Sequence, residues 1–154
     1  MPSLFILFQL LAIVASSAFV GALLFVAFVV VKFWRAAKPS DFLQWMSEHF
    51  FRFPTIMVPL NVLSLLAIIS ALALSWQPSP ASRLPLGLGL LFLLACSITF
   101  PIYFVKANEA FVTKAVELDD VSSKIAVWSN WHWFRTGLAL ISTIFVGWAL
   151  AIAA

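Results

Sequence analysis

Residues 1–31, MPSLFILFQLLAIVASSAFVGALLFVAFVVV, contain no charged side chain, and this stretch decides what kind of protein the chain is. A secretory signal peptide begins with basic residues and has an apolar core of about 7–15 residues. Here the basic residues are absent, and the apolar run is about twice that length. Since a helix needs about 20 apolar residues to cross a bilayer, residues 1–31 predict a retained transmembrane helix.

The composition of the whole chain is that of a membrane protein. Of its 154 residues, 64% are hydrophobic and only 10% are charged. Soluble domains have about 25% charged residues, so a water-soluble monomer is excluded. At this length we expect one compact unit. The net charge of +3 comes from too few residues to make a nucleic-acid-binding surface, so no nucleic-acid partner is expected.

Four apolar segments are each long enough to span a bilayer. They cover roughly residues 4–31, 55–75, 86–105 and 128–152. Pro54 and Pro59 predict a bend or restart at the beginning of the second segment, because proline removes a backbone donor. The stretch SWQPSPASRLP, 75–85, predicts a tight turn. We therefore expect an all-α integral membrane protein built as a bundle of four transmembrane helices.

The two remaining connections are longer and polar. Residues 40–53 follow a helix start signal and predict an amphipathic helix at the membrane interface. Six of its residues recur at helical spacing: Phe42, Trp45, Met46, His49, Phe50 and Phe53. Helix three is expected to continue to about Leu118, and Asp119-Asp120 to cap the start of helix four. Helices three and four would then extend past the membrane on one side.

The distribution of basic residues predicts that this side is cytoplasmic. Eight of the nine Lys and Arg residues lie on the side of the two long connections, and only Arg83 lies opposite. By the positive-inside rule, both termini are then on the non-cytoplasmic side. We expect an integral protein of the bacterial inner membrane whose first partner is the lipid bilayer.

Polar side chains gather at the cytoplasmic end of the predicted bundle, where the lipid environment makes them costly and therefore candidates for function. They come from different helices: Asn61, Asn108, Glu109, Asn130, His132, Arg135 and Thr136. In the stretch VWSNWHWFRTG, 127–137, Trp128, Trp131 and Arg135 share one helical stripe, with His132 beside it. His49 of the interfacial helix is placed to cover this cluster.

Each of these residues also has a purely structural interpretation. Arg135 either binds an anionic or carbonyl oxygen of a ligand, or snorkels to the interface or pairs with Glu109. Asn61 and Asn108 either line a site or hold helices together. Four tryptophans are expected to be aromatic anchors at the membrane boundary: Trp34, Trp76, Trp133 and Trp148.

A metal or cofactor site is not expected. The single cysteine, Cys96, is most typical of a packing residue, and two histidines provide too few ligands for zinc. A haem bound by His49 and His132 is conceivable, but the sequence has no second pair of histidines. No phosphate-binding glycine loop or Ser/His/Asp triad is evident.

An asparagine ending helix three, FVKANEAF, followed about twenty residues later by WSNWHWFRT, resembles the DUF1772 family of small four-helix membrane proteins, which includes the fungal anthrone oxygenases. The resemblance covers the layout of the whole chain, and its specific part is Asn108, Trp128, Trp131 and Arg135-Thr136. The chain keeps only Asn108 of the N-x-P-x-N-like segment that is common in the family.

The resemblance implies oxygenation of an anthrone-like substrate by O2 with no cofactor. Such a site needs a flat aromatic slot, a base, and donors for the enolate oxygen. It implies that Trp128 and Trp131 stack on the rings and that Arg135 and Asn108 hold the oxyanion. His132, His49 and Glu109 are the candidate bases, with Asn61 among the substrate-binding residues.

The function itself stays open between two main classes. One is the oxygenase acting on a flat lipophilic aromatic substrate. The other is a non-enzymatic accessory subunit of a larger membrane protein complex, or a lipid- or quinone-binding protein. Transport is disfavoured because no acidic or basic residue is expected mid-membrane.

Overall fold

The structure is a computed structural model that describes residues 2–76 and 78–153. Most of these residues are in helices that short turns connect, and there is no β-strand among them. The α-helices are α1 (Pro2–Phe25), α2 (Val31–Ala36), α3 (Pro39–His49), α4 (Arg52–Leu74), α5 (Arg83–Thr99), α6 (Val105–Val112) and α7 (Val121–Ala153). Two π-helical segments, Val26–Val30 and Phe100–Phe104, and two 3-10 turns, Pro80–Ser82 and Leu118–Asp120, complete the order.

Four continuous helical spans are long and apolar enough to cross a membrane. The spans are Leu4–Ala36, Arg52–Leu74, Pro80–Val112 and Leu118–Ala153, called the first to fourth spans below. At most 39% of the most apolar window of any span is buried within the protein. Large side chains such as Val14, Leu84 and Ile144 are instead more than 60% exposed. The prediction of an all-α fold with four helices long and apolar enough to span a membrane is thus confirmed.

The spans pack in a closed order in which the first contacts the second and fourth, and the third contacts the fourth. Contact between the second and third spans is the least extensive of the four neighbouring pairs. Small buried residues hold α5 and α7 close together. A Cβ atom added at Gly89 would lie 3.1 Å from Val146 Cγ2 and 3.3 Å from the Ser142 carbonyl oxygen. The Ser142 hydroxyl also donates to the Gly89 carbonyl at 2.7 Å.

The first and third spans each change from α-helix to π-helix near the same end of the bundle. The π segment of the first span is Val26–Val30, and that of the third is Phe100–Phe104, with Pro101 inside it. Proline lacks a backbone donor and so cannot continue the ordinary hydrogen-bond ladder. π-helical turns are uncommon and frequent at functional sites.

The third helix ends earlier than the sequence predicts. α6 ends at Val112, not near Leu118, because Lys114 has a left-handed backbone with φ 56°. The Lys114 amide donates to the Phe111 carbonyl, and the Ala115 amide donates to the Ala110 carbonyl at 2.9 Å. This pair of bonds is the Schellman arrangement that terminates helices, usually with glycine at the left-handed position.

The connection between the first two spans also differs in its bounds. A helix is present, but α3 covers Pro39–His49 instead of 40–53, since Arg52 and Phe53 belong to α4. Pro54 lies in the first turn of α4, where a proline is tolerated, and α4 continues without interruption past Pro59. α3 packs on α6, with the rings of Phe42 and Phe111 edge to face at 5.0 Å.

Candidate functional site

A cavity of about 200 Å³ lies between the spans at the end of the bundle that carries the π-helical segments. Its walls are mostly apolar and aromatic: Phe19, Val26, Trp34, Phe50, Phe53, Pro54, Met57, Val58, Phe100, Pro101, Phe104 and Trp128. Five further side chains supply polar atoms or sulfur: Asn61, Cys96, Ser97, Asn108 and Arg135. We call this space the Arg135 cavity. Four of the eight predicted site residues line it: Asn61, Asn108, Trp128 and Arg135.

Arg135 has no acidic partner. Its guanidinium carbon lies 4.4 Å from the centroid of the Phe104 ring, and its Nε is buried without a hydrogen-bond partner. Within residues 2–76 and 78–153, the only acid–base contact within 4.0 Å is between Glu48 and His49. The predicted alternative of an Arg135–Glu109 pair is therefore wrong, and Glu109 is exposed. A buried cation without a hydrogen-bond acceptor is energetically costly, so this guanidinium is available to bind an acceptor oxygen.

Asn108 and Trp128, twenty residues apart in sequence, meet in the wall of the cavity. The Trp128 indole Nε1 donates to the Asn108 amide oxygen at 2.8 Å, and both residues are buried. Because indole is only a donor, the oxygen must be the atom facing it. The Asn108 amide nitrogen is then the group left to donate elsewhere.

Asn61 reaches the same cavity from the second span. Its amide oxygen lies 3.1 Å from the Ser97 hydroxyl of the third span. This hydroxyl is also 2.8 Å from the Leu93 carbonyl of its own helix. The contact connects the two spans that are otherwise packed least extensively. Asn61 thus fits both predicted interpretations, since it lines the cavity and joins two helices.

Trp34 is the residue of this site that sequence reasoning missed. It is only 2% exposed, lines the Arg135 cavity, and has a buried Nε1 with no partner. Its ring packs edge to face on Trp128 at 5.0 Å. The predicted anchor role is therefore wrong for Trp34, whereas Trp133 is 42% exposed. The only signal in the sequence is its place near the end of the first span, which is equally typical of an anchor.

His132 lies behind the cavity wall. It is fully buried, and its ring stacks on Trp128 at 4.9 Å with an interplanar angle of 11°. Its Nε2 is 2.9 Å from the Leu23 carbonyl. Since that carbonyl can only accept, Nε2 carries the hydrogen. The other ring nitrogen, Nδ1, is buried without a partner.

The remaining predicted site residues lie away from the Arg135 cavity. Trp131 stacks on Tyr103 at 5.0 Å, so it does not share the Arg135 wall that its helical stripe predicts. His49 stacks on Trp45 of α3, and its Nδ1 is 3.2 Å from the Trp45 carbonyl. Neither His49 nor Glu109 is among the lining residues.

Acidic and metal-binding groups are sparse around this site. No Asp or Glu occurs among the described side chains that line the cavity. Across residues 2–76 and 78–153, no cluster of three or more His, Cys, Asp or Glu side chains is arranged to hold a metal ion. Cys96 is a free buried thiol in the lining. The polar chemistry of the site is therefore dominated by hydrogen-bond donors.

The exposed residues of the lining indicate that the cavity is open at the side of the bundle, between the second and third spans. Three of its lining residues are exposed on the outer surface of the bundle, namely Val58 of α4 and Phe100 and Pro101 of the π segment. Val58 is 50% and Phe100 is 38% exposed. These residues belong to two spans that are long and apolar enough to cross a membrane, so this opening lies on the apolar outer surface of the bundle.

No family model matches this chain, and no curated protein or solved structure is significantly similar to it. The function of the protein is therefore inferred from the geometry of the Arg135 cavity.

Proposed function

We propose that this membrane protein binds a flat, lipophilic molecule in the Arg135 cavity through a carbonyl or oxyanion oxygen. The observation that carries the proposal is Arg135, a guanidinium without an acidic partner at the wall of an aromatic cavity. In a site that excludes water, a charged donor binds an oxygen acceptor more strongly than a neutral donor does.

Neighbouring donors support an acceptor-bearing ligand. The Trp34 Nε1 has no partner, and the Asn108 oxygen is occupied by Trp128, which leaves the amide nitrogen to donate. The lining offers no carboxylate to compete for Arg135. Ligand sites of this type combine apolar walls with a few polar groups that fix orientation. A quinone or the enolate of an anthrone has such an oxygen on a flat ring system.

The lateral opening supports a ligand that is dissolved in the membrane. Val58 and Phe100 lie at this opening on the outer surfaces of two different spans. A lipophilic molecule would reach Arg135 from the bilayer without crossing the charged end of the bundle. This route fits a quinone-like ligand better than a water-soluble metabolite.

The enzymatic form of the proposal is the cofactor-free oxygenase that the DUF1772 resemblance implies. An anthrone CH2 carbon loses a proton, and the resulting carbanion reduces O2. One oxygen atom is retained as the new carbonyl, and the other leaves as water with the two hydrogens of the CH2 group. Arg135 and Asn108 would stabilise the enolate oxygen. Of the candidate bases, only His132 is buried with an unpartnered ring nitrogen, directly behind Trp128.

The second candidate is a quinone- or lipid-binding protein, alone or as an accessory subunit of a larger membrane complex. The observation that favours it is the absence of an imidazole or carboxylate from the described cavity lining. A site whose polar lining has no imidazole or carboxylate can hold a ligand but lacks a side chain suited to accept a proton from it.

The proposal includes an orientation in the membrane. The charged end of the bundle, with the extensions of helices three and four, faces the cytoplasm of a bacterial inner membrane, and both termini face the other side. α3 lies at the interface, where its exposed polar residues meet water. The unequal distribution of Lys and Arg supports this arrangement.

The test compares substitutions of two arginines, with each protein reconstituted in lipid nanodiscs. Binding of 9,10-anthraquinone is measured by the quenching of tryptophan fluorescence. The affinity is expected to fall about 10- to 100-fold in Arg135→Gln, because a charge-assisted hydrogen bond is lost. Arg83→Gln is the matched control, since Arg83 lies over Trp76 at 3.5 Å and outside the cavity lining. Equal affinity in the wild type and Arg135→Gln would overturn the proposal.

A second measurement separates the two candidates. Wild-type protein is mixed with anthrone, and anthraquinone absorbance and O2 consumption are followed together. Turnover in the wild type that is lost in Arg135→Gln supports the oxygenase. Binding of anthraquinone with no turnover of anthrone or its ring-substituted derivatives supports the binding protein.

A further inference from the structure

A second concave surface lies on the outside of the bundle between the third and fourth spans. It encloses about 330 Å³ and is lined by α6, the preceding π segment, the turn after α6, and the first part of α7. Ile102, Ala107, Phe111 and Val127 contribute apolar surface to it. We call it the lysine groove, because Lys106 and Lys124 also line it.

The two lysines approach the groove from different helices. Lys106 is in α6 and Lys124 is in α7, and both are exposed. No Asp or Glu lies among the described residues of the groove, and neither ammonium is within 4.0 Å of a carboxylate in the described parts of the chain. The groove therefore combines two unneutralised positive charges with an apolar wall.

The lysine groove lies where the apolar surface of the bundle ends. Toward the Arg135 side, exposed residues are apolar, such as Ile102 at 64% and Phe134 at 56%. Toward the other side they are charged and exposed, such as Glu109 and Asp120. A membrane protein changes from apolar to charged surface at the level of the lipid headgroups.

We propose that the lysine groove binds one phospholipid with a net negative headgroup. Its phosphate lies between Lys106 and Lys124, and an acyl chain follows the apolar surface past Ile102 and Val127. Basic pockets between membrane helices have this chemistry. A zwitterionic lipid brings its own cation close to the two lysines and is therefore the weaker ligand. The proposal does not depend on the function of the Arg135 cavity.

The test measures lipid retention by native mass spectrometry of the detergent-purified protein. Dioleoylphosphatidylglycerol and dioleoylphosphatidylcholine are added at equal concentrations. The wild type is expected to retain one phosphatidylglycerol in preference to phosphatidylcholine. Lys106→Gln and Lys124→Gln are each expected to weaken phosphatidylglycerol binding about fivefold, and the double variant roughly 30-fold.

The matched control is Lys32→Gln/Lys38→Gln, which removes two exposed lysines that lie outside the groove. It is expected to retain phosphatidylglycerol as the wild type does, and thermal unfolding confirms that both double variants are folded. An equal loss in the two double variants would overturn the site, because it would indicate attraction by net charge alone. Displacement of the lipid by glycerol phosphate alone would also overturn it, since the apolar surface would then contribute nothing.

Discussion

The two ends of the bundle differ in the side chains that pack between their helices. At one end, which we call the tight end, small residues bring α5 and α7 together, and Ser82 and Ser142 donate to carbonyls of the facing helix, at Ala149 and Gly89. At the other end, around the Arg135 cavity, large aromatic rings separate the helices. Small residues allow close backbone approach, whereas rings packed edge to face leave space between them.

The unsatisfied polar atoms follow the same division. Among residues 2–76 and 78–153, four buried side chains have a nitrogen or oxygen without a partner: Gln9, Trp34, His132 and Arg135. Three of these four lie in the cavity wall or directly behind it. Gln9 of the first span is the exception, and nothing in the structure explains it. The two ends therefore differ in their polar groups: the tight end pairs its buried hydroxyls with carbonyls, while unpartnered polar atoms are concentrated at the cavity end.

A large effect on stability is expected from a substitution at the tight end. Gly89→Val is expected to lower the free energy of unfolding by about 1–3 kcal/mol, because the new side chain collides with Val146 and the Ser142 carbonyl. Gly87→Val is the control, since a Cβ atom there meets no atom within 4 Å. Thermal unfolding in detergent, followed by circular dichroism, measures both. Similar losses in the two variants would mean that α5 and α7 are not held closely at Gly89.

At the cavity end, the buried hydrogen bond between Trp128 and Asn108 is expected to contribute to stability. Trp128→Phe leaves the Asn108 oxygen without its donor, which should lower the free energy of unfolding by about 1–3 kcal/mol. Trp131→Phe, which keeps a ring against Tyr103, should cost less. The double variant Trp128→Phe/Asn108→Leu should cost less than the sum of its single variants, because no unsatisfied oxygen remains. Strict additivity in the same unfolding assay would contradict this bond.

The fold could be predicted from the sequence because a membrane span is defined by length and hydropathy alone. The Leu4–Ala36 span can be recognised from its long apolar run alone, without any knowledge of the helices that pack against it. The end of α6 could not be predicted, since it depends on Lys114 adopting a left-handed backbone that sequence patterns assign to glycine.

The candidate site was only partly predictable, because spacing along one helix does not determine what that face meets. Trp131 shares a stripe with Arg135, yet it packs on Tyr103 and away from the cavity. Trp34 has the sequence position of a surface anchor, but α3 folds back so that Phe42 and Trp45 cover it. Which tryptophan is buried is decided by contacts between helices that are distant in sequence.

The smallest expected effect tests whether Trp34 belongs to the ligand site, and it depends on the proposed function. Trp34→Phe removes an unpartnered indole donor and keeps an aromatic ring. Anthraquinone binding in nanodiscs should weaken by about threefold to tenfold, the effect of one neutral hydrogen bond. Anthracene, which has the same ring system without oxygens, should bind equally well to both proteins. Trp45→Phe is the control, since Trp45 packs on Trp34 at 5.7 Å but does not line the cavity.

The paired ligands separate hydrogen bonding from packing at Trp34. If Trp34→Phe weakens anthraquinone and anthracene binding by the same factor, the Trp34 ring contributes only packing. The cavity then has one hydrogen-bond donor fewer than proposed. If only anthraquinone weakens, the indole reaches the ligand oxygen from the first span while Arg135 reaches it from the fourth. The bound oxygen would then accept hydrogen bonds from two helices, just as a hydrogen bond between Ser142 and Gly89 links two helices at the tight end.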